Sequence, residues 1–307
     1  MNGDKITALN KKGDWLLEYK KDTTSQHGED GIIEKIFEVI GANNKWCVEL
    51  GALNGTHDSN VWSLIKNNNW GGVLIEADPT YFEKLREVYR DNKSVICINS
   101  FVLFEGDNSL DSILAKTPIP HSFDYFSLDI DGNDYHIWDS LTNHRPRVII
   151  VEFNPSIPND VIFIQPRDPE VFQGSSLRAL VELGKRKGYE LVAANETNAF
   201  FVLEKLFPKF GIVDNSIDAL HTDHQYETKL FQLYDGTLMI SGNDKLIWHK
   251  KKINQEALQV LPPYQRFYPA KISPNIMVRR LKYFIRKFPG YHLLQKVKSD
   301  LGSFIRS

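Results

Sequence analysis

The chain of 307 residues is poor in several things at once. It holds only two cysteines, Cys47 and Cys97, so no disulfide framework can carry its stability; each lies within an apolar run and is expected as a buried, reduced thiol. No run of about 18 apolar residues occurs, and the lysine-bearing start lacks the apolar stretch of a signal peptide, which points to a cytoplasmic protein. A formal net charge of -2 gives no global attraction to nucleic acid or to an acidic membrane, so any electrostatic partner must use a local patch. Internal repeats and low-complexity tracts are also missing. What is present, 42% apolar and 12% aromatic residues, suits one large folded domain with an appendage.

Residues 1–24 are polar and weakly patterned. Ser25 then offers an N-cap to a helix whose apolar positions Ile32, Ile33, Ile36, Phe37 and Ile40 follow helical spacing, with Gly41 ending it. The apolar run Trp46 to Leu50 breaks into a glycine-containing turn, followed by a helix around Asn60 to Lys66 and a strand from Gly72 that ends on Glu76. The alternation continues: a helix near Tyr81 to Tyr89, a strand over Val95 to Val102, a short helix at Leu110 to Leu114, and strands at Tyr125 to Ile130 and Val148 to Phe153. Ser175 caps a further helix through Lys187, and Glu190 to Ala193 pairs antiparallel with Ala199 to Leu203. Such alternation with unbroken apolar strands predicts an α/β domain over residues 25–204, Rossmann-like, with a mostly parallel seven-stranded sheet and helices on both faces. Ligands then bind at the carboxyl ends of the strands.

Three segments stand outside that rhythm. The proline-bearing stretch from Asn154 to Gly174 is long for a connection and follows the fifth strand at the ligand edge, where it reads as a substrate lid. Residues 205–270 form a β-rich appendage, with a hairpin across Asp235-Gly236 for which a type I′ turn is expected. Residues 271–307 form a basic amphipathic tail: from Ile276 to Ser307 there are eight Lys or Arg against one Asp, with Met277, Leu281, Phe284, Ile285 and Phe288 on one helical face. Such a tail either packs on the protein's own surface or docks peripherally on a membrane's inner face or an anionic polymer.

The turn after the first strand reads Glu49-x-Gly51-x-x-x-Gly55, which differs from the dinucleotide fingerprint and lets the backbone approach a ligand before entering a helix. Glu49, at the strand end, is placed to hold an amino group. Glu76 ends the second strand where Rossmann-like domains keep an acid for both ribose hydroxyls, and the two carboxylates in register suit adenosine. Together SQHGEDG, VELGALNGTHDSN, GGVLIEADP, FDYFSLDIDGNDYHIW and VIIVEFN resemble the FkbM-type branch of S-adenosylmethionine-dependent methyltransferases. The resemblance covers about Ser25 to Leu203 and implies the class I methyltransferase fold, S-adenosylmethionine as cofactor, and methyl transfer to hydroxyl groups of sugars and related metabolites. It places Glu49, Gly51, Ala52 and Gly55 in the cofactor loop, Glu76 on the ribose, and Asn99 with Ser100 near the adenine. Leu53 departs from the family, standing where many class I enzymes keep a middle glycine, and LDIDGND replaces the more usual lysine and single Asp-x-Glu-Gly.

At the start of the first helix, Gln26 either belongs to the cap or contacts the cofactor's methionine portion. The densest polar cluster is Asp129, Asp131, Asn133, Asp134 and His136 after the fourth strand, facing Glu152 and Asn154 after the fifth. Strand alternation puts Asp129 with Asp131 and Glu152 with Asn154, so hard oxygen ligands converge on one Mg²⁺ or other divalent cation. A metal there would hold two substrate oxygens and acidify the attacked hydroxyl; without one, His136 or Asp129 acts as general base. An Asp-Gly-Asn turn accounts for some members, Asp134 above all. The His221 to His224 segment has ligand-capable side chains but no matching partner. The expectation is an O-methyltransferase acting on a sugar hydroxyl in surface-polysaccharide or nucleotide-sugar metabolism. The rivals are a NAD-dependent sugar-nucleotide dehydrogenase and a catalytically inactive methyltransferase fold used for binding.

Overall fold

The structure, a computed structural model, describes residues 12–247, 249–266, 276–288 and 290. The chain divides into two compact units at the junction of Glu227 and Thr228.

The first unit is built on seven strands: β1 (Trp46–Leu50), β2 (Gly71–Glu76), β3 (Val95–Asn99), β4 (Tyr125–Leu128), β5 (Val148–Glu152), β6 (Tyr189–Ala194) and β7 (Asn198–Leu203). Their order is β3-β2-β1-β4-β5-β7-β6, and β7 alone runs against its neighbours. This is a Rossmann-like, mostly parallel sheet, and its strand order reverses between β1 and β4. The central strands bury both faces, which is why they read as continuous apolar runs. Helix α1 (Glu29–Ile40) precedes β1, and α2 (Trp62–Asn68), α3 (Pro79–Tyr89), α4 (Leu110–Leu114), α5 (Asp134–Ser140) and α6 (Leu177–Arg186) connect successive strands through β6.

Several boundaries differ from the sequence reading, each for a local reason. Gly28, at φ 89°, precedes α1; Ser25 lies outside the helix, although its Oγ accepts the Asp30 N–H. The N-cap of α6 is Ser176, whose hydroxyl accepts the Ala179 N–H, while Ser175 Oγ takes Gln165 N instead. Strand β3 stops at Asn99 because its only sheet neighbour, β2, ends at Glu76. Strand β4 stops at Leu128 because the backbone turns at Asp131, which is left-handed at φ 59°. Asp134 holds that turn by accepting from Ile130 N and Gly132 N.

Beyond β7 the core continues further than the sequence suggests. Leu206, Phe210 and Ile212 are buried, as are Ile217 and Leu220 on α7 (Ile217–Leu220), so residues 205–227 pack with the α/β domain rather than with an appendage. Trp15 and Leu16, within the segment expected to be merely polar, are buried in the same core.

In the second unit β8 (Thr228–Gln232) pairs antiparallel with β9 (Leu238–Gly242). The turn is not type I′: Gly236 N donates to Leu233 O, Leu233 N to Thr237 O, and of the Asp-Gly pair only Gly236 has positive φ. That is a type I turn closed by a glycine bulge. Two short strands, β10 (Lys245–Leu246) and β11 (Lys251–Lys252), and helix α8 (Ile276–Arg286) follow. On α8 and just after it Leu281, Phe284, Ile285 and Phe288 are exposed; the Met277 side chain and residues 271–275, 289 and 291–307 of the expected tail lie outside the described residues. Among the described residues no helix is long and apolar enough to cross a membrane.

Candidate active site

A cavity of about 470 Å³ opens at the carboxyl ends of the strands, beside the β1/β4 switch. Among the described residues seven carboxylates line it, Glu29, Glu49, Asp58, Glu76, Asp129, Asp131 and Glu152, and no lysine, arginine or histidine does. Such a wall suits a ligand that is cationic, or neutral and rich in hydrogen-bond donors.

On the β1/β2 side, Gly51 is left-handed at φ 84°, and a Cβ there would strike the carbonyl oxygen of Asp129. Gly51 N and Ala52 N both donate to Ile75 O at 3.1 Å, which fixes the loop against β2. Leu53 is held at φ 45°, and its N–H donates to Glu76 Oε2 at 2.7 Å. The other Glu76 oxygen accepts Asp78 N, so the carboxylate is fixed while its remaining lone pairs stay available along the cavity. Glu49 accepts Ser59 Oγ at 2.8 Å and Asn60 N at 2.7 Å. Burial pushes its carboxyl up to about 8 despite those two bonds, with the Asp129 charge adding to the rise.

Gln26 and Ser100 also reach this wall, whereas Ala52, Gly55 and Asn99 do not. Gly55 packs against Leu85 and Tyr89, where a side chain would collide. Asn99 instead donates to the carbonyls of Glu76 and Ala77.

On the β4/β5 side, carboxylate oxygens of Asp129, Asp131 and Glu152 all lie within 4.8 Å of one another. Burial, then the Asp131 and Glu29 charges, push Asp129 up to about 7; Glu152 is pushed well above the usual carboxylate range by burial and by Asp129. The two carboxyls titrate as a pair, in which one shared proton relieves the repulsion between them. Asp134, buried beneath them, is pushed up to about 8.

Asn154 stands apart from this cluster: its side chain binds Ser156 and the Gln173 carbonyl, clasping the two ends of the 154–174 insertion. His136 is also off the wall, with Nε2 2.8 Å from Gln165 O and its ring edge on Phe104. His221 is buried against Asn159 Oδ1, and burial lowers it to about 4. No metal-ligating group forms around it among the described residues.

No family model matches the chain. No curated protein matches it either. Solved structures do resemble it. An O-methyltransferase from Bacillus cereus in complex with SAH is 18% identical over 62% of this chain and 91% of its own, at a TM-score of 0.40. An S-adenosylmethionine-dependent methyltransferase from Clostridium acetobutylicum is 10% identical over 57% and 90%, at 0.38. The N-terminal domain of EvdMO1, determined in the presence of SAH and D-fucose, is 13% identical over 57% and 81%, at 0.38.

The site also contains residues that sequence patterns did not single out. Glu29 is a buried wall residue whose carboxylate takes the amides of Asn195 and Asn198, at 2.6 and 3.1 Å, and His27 N. Asn198 opens β7 opposite Glu152, so antiparallel pairing of a late strand brings it to the acids. Phe101, Phe104, Pro169 and Phe172 form an apolar mouth. Only the position of the insertion after the fifth strand hinted at the last two.

Proposed function

We propose that the chain is an S-adenosylmethionine-dependent O-methyltransferase acting on a sugar hydroxyl. The observation that carries this reading is the all-acidic cavity at the strand ends, in which a cofactor half and an acceptor half lie side by side. The pyrophosphate of a dinucleotide would meet seven carboxylates and no cation, which disfavours the dehydrogenase alternative. S-adenosylmethionine, by contrast, brings a sulfonium and an ammonium, and the residues present fit it. Glu76 has lone pairs for the ribose hydroxyls, Glu49 and Gln26 are placed for the amino-acid portion, and Gly51 keeps the loop close without a side chain in the way.

When bound, the cofactor supplies an electrophilic methyl group. The chain's own part is to orient the acceptor and receive its proton. Asp129 Oδ takes the proton from the attacked hydroxyl, a role suited to a carboxyl raised to about 7, while Asp131 and Glu152 accept from neighbouring hydroxyls. His136, bound to the insertion's backbone, is left as a support for Phe104. The same three carboxylates form an oxygen-only set that fits a hard divalent cation, which would replace the Asp129–Glu152 proton and acidify a coordinated hydroxyl. Pro169 and Phe172 of the insertion wall the acceptor side.

Calorimetry with S-adenosylhomocysteine (SAH) and with NAD, on wild type and Glu76→Ala, tests the cofactor half. Binding of SAH that weakens in the variant is expected; binding of NAD without SAH would overturn the reading. Retained SAH binding with no methyl transfer to any carbohydrate would favour the inactive binding module.

A further inference from the structure

Among the described residues, one guanidinium packs against a wall residue of this acidic cavity from outside its lining. Arg167 Cζ lies 4.8 Å from the ring centroid of Phe104, and Phe104 and Pro169 both line the cavity. Among the described residues that ring is the only partner of Arg167. The nearest acid in sequence, Asp168, uses its carboxylate on Glu170 N.

The loop carrying Arg167 is rigidly set. Gln165 is 1% exposed, with Nε2 donating to Val171 O and Oε1 accepting Gln173 N and Gly174 N. From the β4 turn, Asn133 Nδ2 reaches the carbonyls of Asp168 and Val171 at 3.0 and 3.2 Å. Pro166 and Pro169 fix φ on either side of the Arg-Asp pair. Phe104 in turn rests on the His136 ring edge, and His136 returns to the loop through the Gln165 carbonyl. A guanidinium lying on an aromatic ring keeps its N–H fork free for a planar or tetrahedral oxyanion. Beside it Phe172 and Phe101 are 58% and 52% exposed, offering flat apolar surface at the same mouth.

We propose that Arg167 recognises a phosphate ester on the acceptor, so that the sugar enters toward Asp129 while the phosphate stays at the mouth. A phosphate cannot follow the sugar inward, because every charged side chain on the cavity wall is an acid. The inference rests on the sugar-methylation reading and names the class of acceptor: a sugar phosphate or a nucleotide-linked sugar.

The test uses the full chain loaded with SAH and titrated with glucose, glucose 1-phosphate and UDP-glucose. Both phosphate-bearing probes are expected to bind at least about tenfold more tightly than glucose. Arg167→Gln is expected to erase that advantage, with Arg167→Lys restoring part of it and SAH affinity unchanged in both. A further loss in Phe172→Ala confined to UDP-glucose identifies the nucleotide form; equal binding of the two phosphates with no such loss identifies the simple ester. Wild type that binds glucose as tightly as its phosphates, or binds none of the three, overturns the proposal, as does an Arg167→Gln variant that retains the preference. Failure of SAH itself to bind would instead defeat the cofactor reading.

Discussion

Replacing Glu49 by Gln separates what that carboxyl does for the fold from what it does for the ligand. Buried, it ionises only near pH 8, whereas in the unfolded chain it ionises near 4.5. The folded state thus binds the extra proton between those values, so this group makes stability fall as pH rises from about 4.5 to about 8, after which the loss is complete. At about 1.4 kcal/mol per pKa unit, the full cost is of the order of 5 kcal/mol, of which roughly 1 is present at pH 5.5. Gln cannot ionise, can accept from Asn60 N through its oxygen, and can donate to Ser59 Oγ through its amide. The Glu49→Gln variant should therefore melt above wild type, by a margin about 3 kcal/mol larger at pH 9 than at pH 5.5, or several degrees in Tm for a unit of this size. Asp134 and Glu152 titrate in both proteins and cancel from the difference, whereas Asp129, whose charge adds to the Glu49 rise, contributes a smaller part of it. Above pH 8, where Glu49 is ionised, the same change should weaken SAH by about 10- to 100-fold, the worth of one charge-assisted hydrogen bond. Thermal melts across pH and calorimetry with SAH check both halves. A Tm difference independent of pH would refute the burial argument, and unchanged SAH affinity would remove Glu49 from the cofactor site.

Asp129→Asn is expected to lower kcat for methyl transfer by about 10²- to 10⁴-fold while leaving SAH binding intact, as read by SAH release and calorimetry. If a divalent cation is required, chelator treatment will silence wild type and Mg²⁺ will restore it; activity indifferent to chelation assigns proton transfer to the carboxylate alone. Asp124 is fully buried, accepts the N–H groups of residues 43–45 and pairs with Arg147, so Asp124→Asn should strand that guanidinium and cost about 3 kcal/mol in chemical denaturation. Truncation after Ser273 should abolish binding to anionic liposomes if exposed Phe284 and Phe288 dock the tail there; retained binding would place the contact elsewhere.

The strand framework was legible because buried parallel strands leave unbroken apolar runs, and Glu49 and Glu76 were legible because they end such runs. Convergence of Asp129, Asp131 and Glu152 was also anticipated, but by strand alternation that does not apply at Asp131. Its left-handed backbone ends the strand, and the turn braced by Asp134 brings the carboxylate back. Alternation likewise paired Asn154 with Glu152, whereas the chain leaves the sheet after Glu152 and Asn154 closes the insertion. Glu29 and Asn198 could not be seen as neighbours from spacing, since 169 residues separate them and only the β7 reversal brings them together. The Asp-Gly hairpin was foreseen but its turn was not, because the same dipeptide serves both a two-residue turn and a bulged one.

The tight approach of Gly51 to the Asp129 carbonyl ties the cofactor loop and the acceptor acids into one frame with no freedom between them. If the proposed methyl transfer holds, variation in the acceptor must arise in parts bolted onto that frame, and residues 155–173, clasped at their base by Asn154, are such a part. Replacing that segment should change acceptor preference and leave cofactor affinity behind, making the insertion an exchangeable cassette on a fixed frame.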